Sequence, residues 1–182
     1  MTRIFLMGMK HCGKSTLGRL LAPRLDAVFA DLDERAEELF ARKTGQRLSA
    51  REIFRTQGRE AFMALEAEAL REICKTGGRA PQFAQVVAWG GGTIENQAAL
   101  SAAQGRGLNV FLDEEEDVLF RRIAASGIPP FLQGSDPQAA FHRLYEYRTP
   151  LYRAAADLII DMRGLSPREG VEKIMEGLHG RQ

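Results

Sequence analysis

The stretch Gly8-Met9-Lys10-His11-Cys12-Gly13-Lys14-Ser15-Thr16 constrains this chain more than any other. It satisfies G-x-x-x-x-G-K-[ST] without a mismatch. An apolar run at 4–7 precedes it, and Leu17, Leu20, Leu21 and Leu25 follow at helical spacing. A strand–loop–helix unit of this kind is a phosphate cradle. Glycines let backbone N–H groups turn inward around phosphate oxygens, and the helix N-terminus adds its positive end. Lys14 then reaches the β- and γ-phosphates of a nucleotide, and the Ser15 hydroxyl can sit on Mg²⁺. ATP and Mg²⁺ are therefore the expected ligands of the loop, with Gly8, Cys12, Gly13, Lys14, Ser15 and Thr16 as its binding residues. The side chains of His11 and Cys12 fill variable positions and read as loop filler rather than as ligand or nucleophile.

The remainder of the chain repeats the alternation. Short apolar runs at 28–30, 85–89, 109–112 and 158–160 are separated by helical patterns. Ser49 with Glu52, and Ser166 with Glu169, are capping boxes that open helices. The helix from Ser49 is expected to carry Phe54, Phe62, Leu65, Ala69 and Ile73 on one apolar face. Five apolar strands separated by helices predict an α/β fold: a five-stranded parallel sheet sandwiched by helices. At 182 residues the chain is expected to be a single domain, 1–182. Lys+Arg 25 against Asp+Glu 24 leaves a net charge of +1, so no global field draws nucleic acid or an anionic membrane. Two cysteines are too few for a disulfide framework or a structural zinc site. No apolar segment is long enough for a signal or a membrane span. The expectation is a cytoplasmic, monomeric enzyme acting on a small hydroxyl compound, with no nucleic-acid or membrane partner.

Two further signals follow strands. Asp31-Leu32-Asp33 ends the second apolar run, and alternation predicts both aspartates on one side of it. Carboxylates at a strand's C-terminal end line the ligand crevice of an open α/β sheet. There they can hold Mg²⁺ through water and accept a proton from a substrate hydroxyl. Gly90-Gly91-Gly92 follows the third run, and bare backbone there admits a ligand or forms a flexible turn.

Together these residues resemble the shikimate kinases, small members of the nucleoside-monophosphate-kinase-like P-loop group. The likeness runs through 4–19, Asp31-Leu32-Asp33-Glu34, Ile53-Phe54, the stretch from Ala61 to Glu66, and 86–92. It continues through Val110-Phe111-Leu112-Asp113, Arg148-Thr149-Pro150-Leu151-Tyr152 and 156–161. The resemblance implies a P-loop kinase fold with a mobile lid at about 126–137, and transfer of the ATP γ-phosphoryl to the 3-hydroxyl of shikimate. Lys14 and Asp33 would be catalytic, and Ser15 and Asp31 would support Mg²⁺. Asp33, Gly90, Gly91, Gly92 and Arg148 would bind the acceptor, and Arg122 would lie against adenine.

Two positions depart from the family pattern. Where the family has F-R-x-x-E, this chain has Phe62-Met63-Ala64-Leu65-Glu66, so a carboxylate-clamping arginine is a methionine. Where the family's lid has R-P-L-L, this chain has Pro129-Pro130-Phe131-Leu132. Neither residue can make an arginine's bidentate bonds. Arg59, one helical turn before Met63, is the candidate helper, with Arg55 two turns before. The acceptor thus stays open between shikimate and another small polyol, with a nucleotide-binding relative lacking transfer as the third alternative. Elsewhere, 113–117 reads as a solvated helix start. Trp89 reads either as core or as a wall of the crevice, and Cys74 as an inert apolar-face thiol.

Overall fold

The computed structural model describes residues 2–75 and 83–180. Each apolar run forms a strand: β1 (Thr2–Met7), β2 (Val28–Asp31), β3 (Phe83–Ala88), β4 (Gly107–Asp113) and β5 (Leu158–Asp161). All pairings are parallel, in the order β2-β3-β1-β4-β5. Ile4, Phe5, Leu6 and Met7 are fully buried, so β1 is covered on both faces. That is why it reads as a continuous apolar run instead of an alternating one. The helices are α1 (Lys14–Arg24), α2 (Leu32–Thr44), α3 (Ala50–Gln57), α4 (Arg59–Lys75), α5 (Gln97–Ala103), α6 (Glu116–Ala125), α7 (Pro137–Ala155) and α8 (Pro167–His179). Both predicted capping boxes form, at α3 and α8. Among the described residues no helix is long and apolar enough to cross a membrane.

Parallel strands place all their C-terminal ends on one edge of the sheet. The phosphate-binding motif after β1, Asp31 after β2 and the glycines after β3 therefore open onto the same crevice.

Three expectations need correction. The helix from Ser49 is two helices. Gly58 breaks it at φ 84°, a left-handed value that ends α3 and lets α4 start in a new direction. Phe54 is consequently exposed and meets Phe62 edge-on across the break. Arg59 shares α4 with Met63, whereas Arg55 belongs to α3 and is not on that face.

The two aspartates do not alternate along a strand. β2 stops at Asp31, whose carboxylate caps α2, and Asp33 stands in the first helical turn. Finally, 113–117 is not simply a solvated helix start. Glu114 is buried, Asp113 pairs with Arg153, and α6 begins only at Glu116.

Candidate active site

The loop after β1 is shaped by Gly13, at φ 100°, which turns the chain into α1. Lys14 is the first residue of that helix. Its buried ammonium donates to the carbonyls of Gly8 at 2.9 Å and Met9 at 2.7 Å, which holds it at the centre of the loop. The Cys12 side chain packs inward, as a filler of the loop. It is buried in the core, with its Sγ 3.6 Å from the Lys14 Nζ. Ser15 Oγ donates to Asp31 Oδ2 at 2.6 Å, and the other oxygen of that carboxylate accepts the Asp33 N–H at 3.0 Å. Asp31 thus serves both the helix cap and the serine. Thr16 is exposed at the loop's rim. From α6, Arg122 donates to the His11 carbonyl at 3.1 Å and pairs with buried Glu114 at 3.1 Å. It fastens the outer lip of the loop.

The glycines after β3 approach three different neighbours. A Cβ on Gly90 would stand 2.8 Å from Asp33 Oδ1 and 3.1 Å from Glu66 Oε1. One on Gly91 would stand 3.1 Å from the Lys10 backbone nitrogen, and one on Gly92 would stand 3.4 Å from Arg148 Nη2. A side chain at Gly90 would crowd the aspartate and one at Gly91 the phosphate loop, whereas a Cβ at Gly92 would meet the arginine at ordinary contact distance. Tyr152, from α7, closes the junction. Its hydroxyl lies 2.6 Å from the Gly91 carbonyl and 3.1 Å from that of Gly8, and its ring stacks on Phe111. Burial holds its phenolic proton far above the usual range. Trp89 is core: it packs against Phe5 with ring centroids 5.5 Å apart.

The carboxylates give the site its electrostatic character. Burial, then the neighbouring charges of Asp31 and Glu66, push the Asp33 carboxyl up to about 6, while Lys14 and Lys10 act in the opposite direction. Glu66 is buried and accepts from Thr93 Oγ1 and Asn96 Nδ2. Burial raises its pKa too, against those hydrogen bonds and the charge of Arg148. Arg148 does not stand alone. Its Nε donates to Glu95 Oε1 at 2.5 Å, and Arg59 donates to the other oxygen, Oε2, at 2.5 Å.

Lys14, Ser15, Asp31, Asp33, the three glycines and Arg148 therefore converge as the sequence suggests, and Arg59 reaches the same cluster through Glu95. Glu66, Thr93, Asn96, Glu95 and Tyr152 were not read as site residues. Glu66 and Tyr152 lie inside stretches that carry the family resemblance, which could have pointed to them. Glu95 has no local signal, since its partners are 53 and 36 residues away.

The model of the family described as shikimate kinase matches residues 10–179. A shikimate kinase of Thermodesulfovibrio yellowstonii is 34% identical over 97% of this chain and 94% of its own length. One of Halorhodospira halophila is 35% identical over 98% and 94%. The solved structure of an Acinetobacter baumannii shikimate kinase in complex with shikimate superposes with a TM-score of 0.85 at 28% identity. It covers 100% of this chain and 95% of that one.

Proposed function

The chain belongs to the shikimate kinase family, whose members are ATP-dependent kinases acting on a shikimate hydroxyl, and we propose that it transfers the ATP γ-phosphoryl to the 3-hydroxyl of shikimate in the crevice between the phosphate loop and Gly90–Gly92. The observation that carries this reading is the place of Asp33. Its carboxylate lies beside the glycine backbone and within the field of Lys14. An acceptor hydroxyl bound on bare glycine backbone can donate to Asp33, which orients its oxygen toward the nucleotide. With a pKa of about 6 the carboxylate is mostly ionised at neutral pH, yet basic enough to take the hydroxyl proton at Oδ1.

Phosphoryl transfer is mainly positioning and charge stabilisation. Lys14 supplies a fixed cation, and backbone N–H groups of the loop would donate to the phosphates. Ser15 and Asp31 offer hydroxyl and carboxylate oxygens, the donor set that Mg²⁺ takes beside phosphate oxygens, and the ion there would neutralise charge on the transferring group.

A coupled ADP-release assay with ATP·Mg²⁺ tests the proposal across shikimate, quinate and a panel of polyols and sugars. Shikimate-dependent release is expected, together with loss of most turnover in Lys14→Ala. Release that no acceptor stimulates would overturn it. A second reading, phosphorylation of another small polyol, is favoured by Met63 in place of a clamping arginine and by the hold of Glu95 on Arg148.

A further inference from the structure

Three carboxylates surround the glycine crevice. Asp33 and Glu66 face Gly90, and Glu95 lies beyond Gly92 on Arg148. Two arginines answer them, and their burial differs. The side chains of Arg148 and Glu95 are 14% and 12% exposed, whereas Arg59 is 60% exposed and largely solvated. Within the crevice, then, the Arg148 charge is already matched by an internal carboxylate. That pair is largely withdrawn from water, so its attraction is less screened than a surface ion pair.

An acceptor sitting on Gly92 meets Arg148 Nη2 directly. If that acceptor carried a carboxylate, it would have to share the guanidinium with Glu95. Glu95 holds Nε, and so occupies one edge of the fork through which arginine takes a carboxylate bidentately. The incoming anion would also stand within a few ångströms of Glu95, and like charges juxtaposed in a partly dry pocket repel strongly. A hydroxyl has no such difficulty. It can donate to Glu95 or Asp33 and accept from Arg148 with no net charge to place. Met63 adds no donor, and its backbone carbonyl is taken by Asn96 Nδ2 at 2.8 Å.

We propose that Glu95 is a specificity-determining residue: by holding Arg148 and Arg59 it competes with the acceptor's carboxylate for the guanidinium, and so narrows the preference for shikimate over an uncharged ring of the same shape. This rests on the phosphoryl-transfer reading above and names the residue that sets how strongly the acceptor's carboxylate is held.

The test compares shikimate with its methyl ester, the same ring without the charge. KM values are measured by coupled ADP release, and Kd values by calorimetry in the presence of ADP·Mg²⁺. The proteins are the unmodified chain, Glu95→Gln and Glu95→Asp. In Glu95→Gln the ratio of methyl ester KM to shikimate KM should rise by about tenfold, the scale of one charge-assisted bond regained. Glu95→Asp keeps the charge and should keep the original ratio. A ratio unchanged in Glu95→Gln, with both ligands bound, overturns the role of Glu95 and leaves the kinase reading standing. Binding of neither compound by any of the three proteins overturns the acceptor reading and this proposal with it.

Discussion

Asp33 shows how one side chain can be set against the stability of its own fold. Its carboxyl titrates near 6 in the folded chain, against an ordinary value of 3.8, because protein and two carboxylates crowd it. An acid whose folded pKa is raised binds its proton more tightly when folded. Its favourable contribution is complete below about pH 4 and is lost as pH rises through about 6. Asp33→Asn removes that loss. The variant should be more stable than the unmodified chain at pH 7.5 by up to about 3 kcal/mol, and the gain should vanish near pH 4. Denaturant midpoints at the two pH values measure it. The same change should lower kcat by about 10²–10⁴-fold while nucleotide binding persists, since the base is gone and the phosphate loop is untouched. In the unmodified enzyme kcat should rise with pH through about 6. Wild-type turnover in Asp33→Asn would remove Asp33 from the reaction. The position of this aspartate was legible because it follows a strand beside a phosphate loop. Its raised pKa was not, because it depends first on burial in the packed fold, and then on the charges of Asp31 and of Glu66, the latter brought in by a helix 33 residues later in the chain.

Among the elements, α2 shows how a structural cap can double as part of a site. Asp31 accepts the Asp33 N–H and the Ser15 hydroxyl on its two oxygens, so helix entry and phosphate loop share one carboxylate. Asp31→Ala should cost about 1 kcal/mol from the lost cap. In a chain of this size that lowers Tm by about 2–4 °C. It should also raise the Mg²⁺ concentration needed for half-maximal rate, because Ser15 loses its anionic neighbour. A lowered Tm with an unchanged Mg²⁺ requirement would limit Asp31 to the cap. Sequence periodicity did not find this geometry. Alternation carried past the 28–30 run puts Asp31 and Asp33 on one side, whereas a capping aspartate competes for the backbone and ends the strand at the point where the helix begins. The break at Gly58 was missed for a similar reason. Apolar spacing on either side matches one helical face, and only the left-handed φ of that glycine shows the turn. The segment 126–137, where the resemblance implies a lid, has no basic residue, and in it Pro129 and Leu132 are buried while Phe131 is exposed. What the sequence does not show is that α3 brings the Arg51 guanidinium within 3.5 Å of the Ile128 carbonyl.

At the scale of the whole molecule, strand count and parallel sense were legible because buried parallel strands leave continuous apolar runs between helices. The order β2-β3-β1-β4-β5 was not legible, since hydropathy does not say which neighbour a strand takes. What joins the layers at the site is Tyr152. It lies on α7, near the end of the chain, and reaches over β4 to the loops after β1 and β3. Its ring stacks on Phe111 of β4, while its hydroxyl bridges the carbonyls of Gly8 and Gly91. Tyr152→Phe keeps the ring and its stack and removes only the donor. The Gly8 carbonyl retains the Lys14 ammonium as a partner, so the loss falls chiefly on the Gly91 carbonyl. A buried acceptor deprived of its donor costs about 1–3 kcal/mol. Tm should fall by about 2–4 °C for each kcal/mol lost. The kinetic consequence follows from the geometry. This hydroxyl ties the phosphate loop to the acceptor loop, so loosening it lets donor and acceptor drift out of line. A sub-ångström loss of alignment is costly when catalysis is mostly positioning. Tyr152→Phe should therefore lower kcat by about tenfold at saturating ATP and acceptor, with a smaller change in either KM. A variant that melts earlier yet turns over at the wild-type rate would show the bridge to be structural alone.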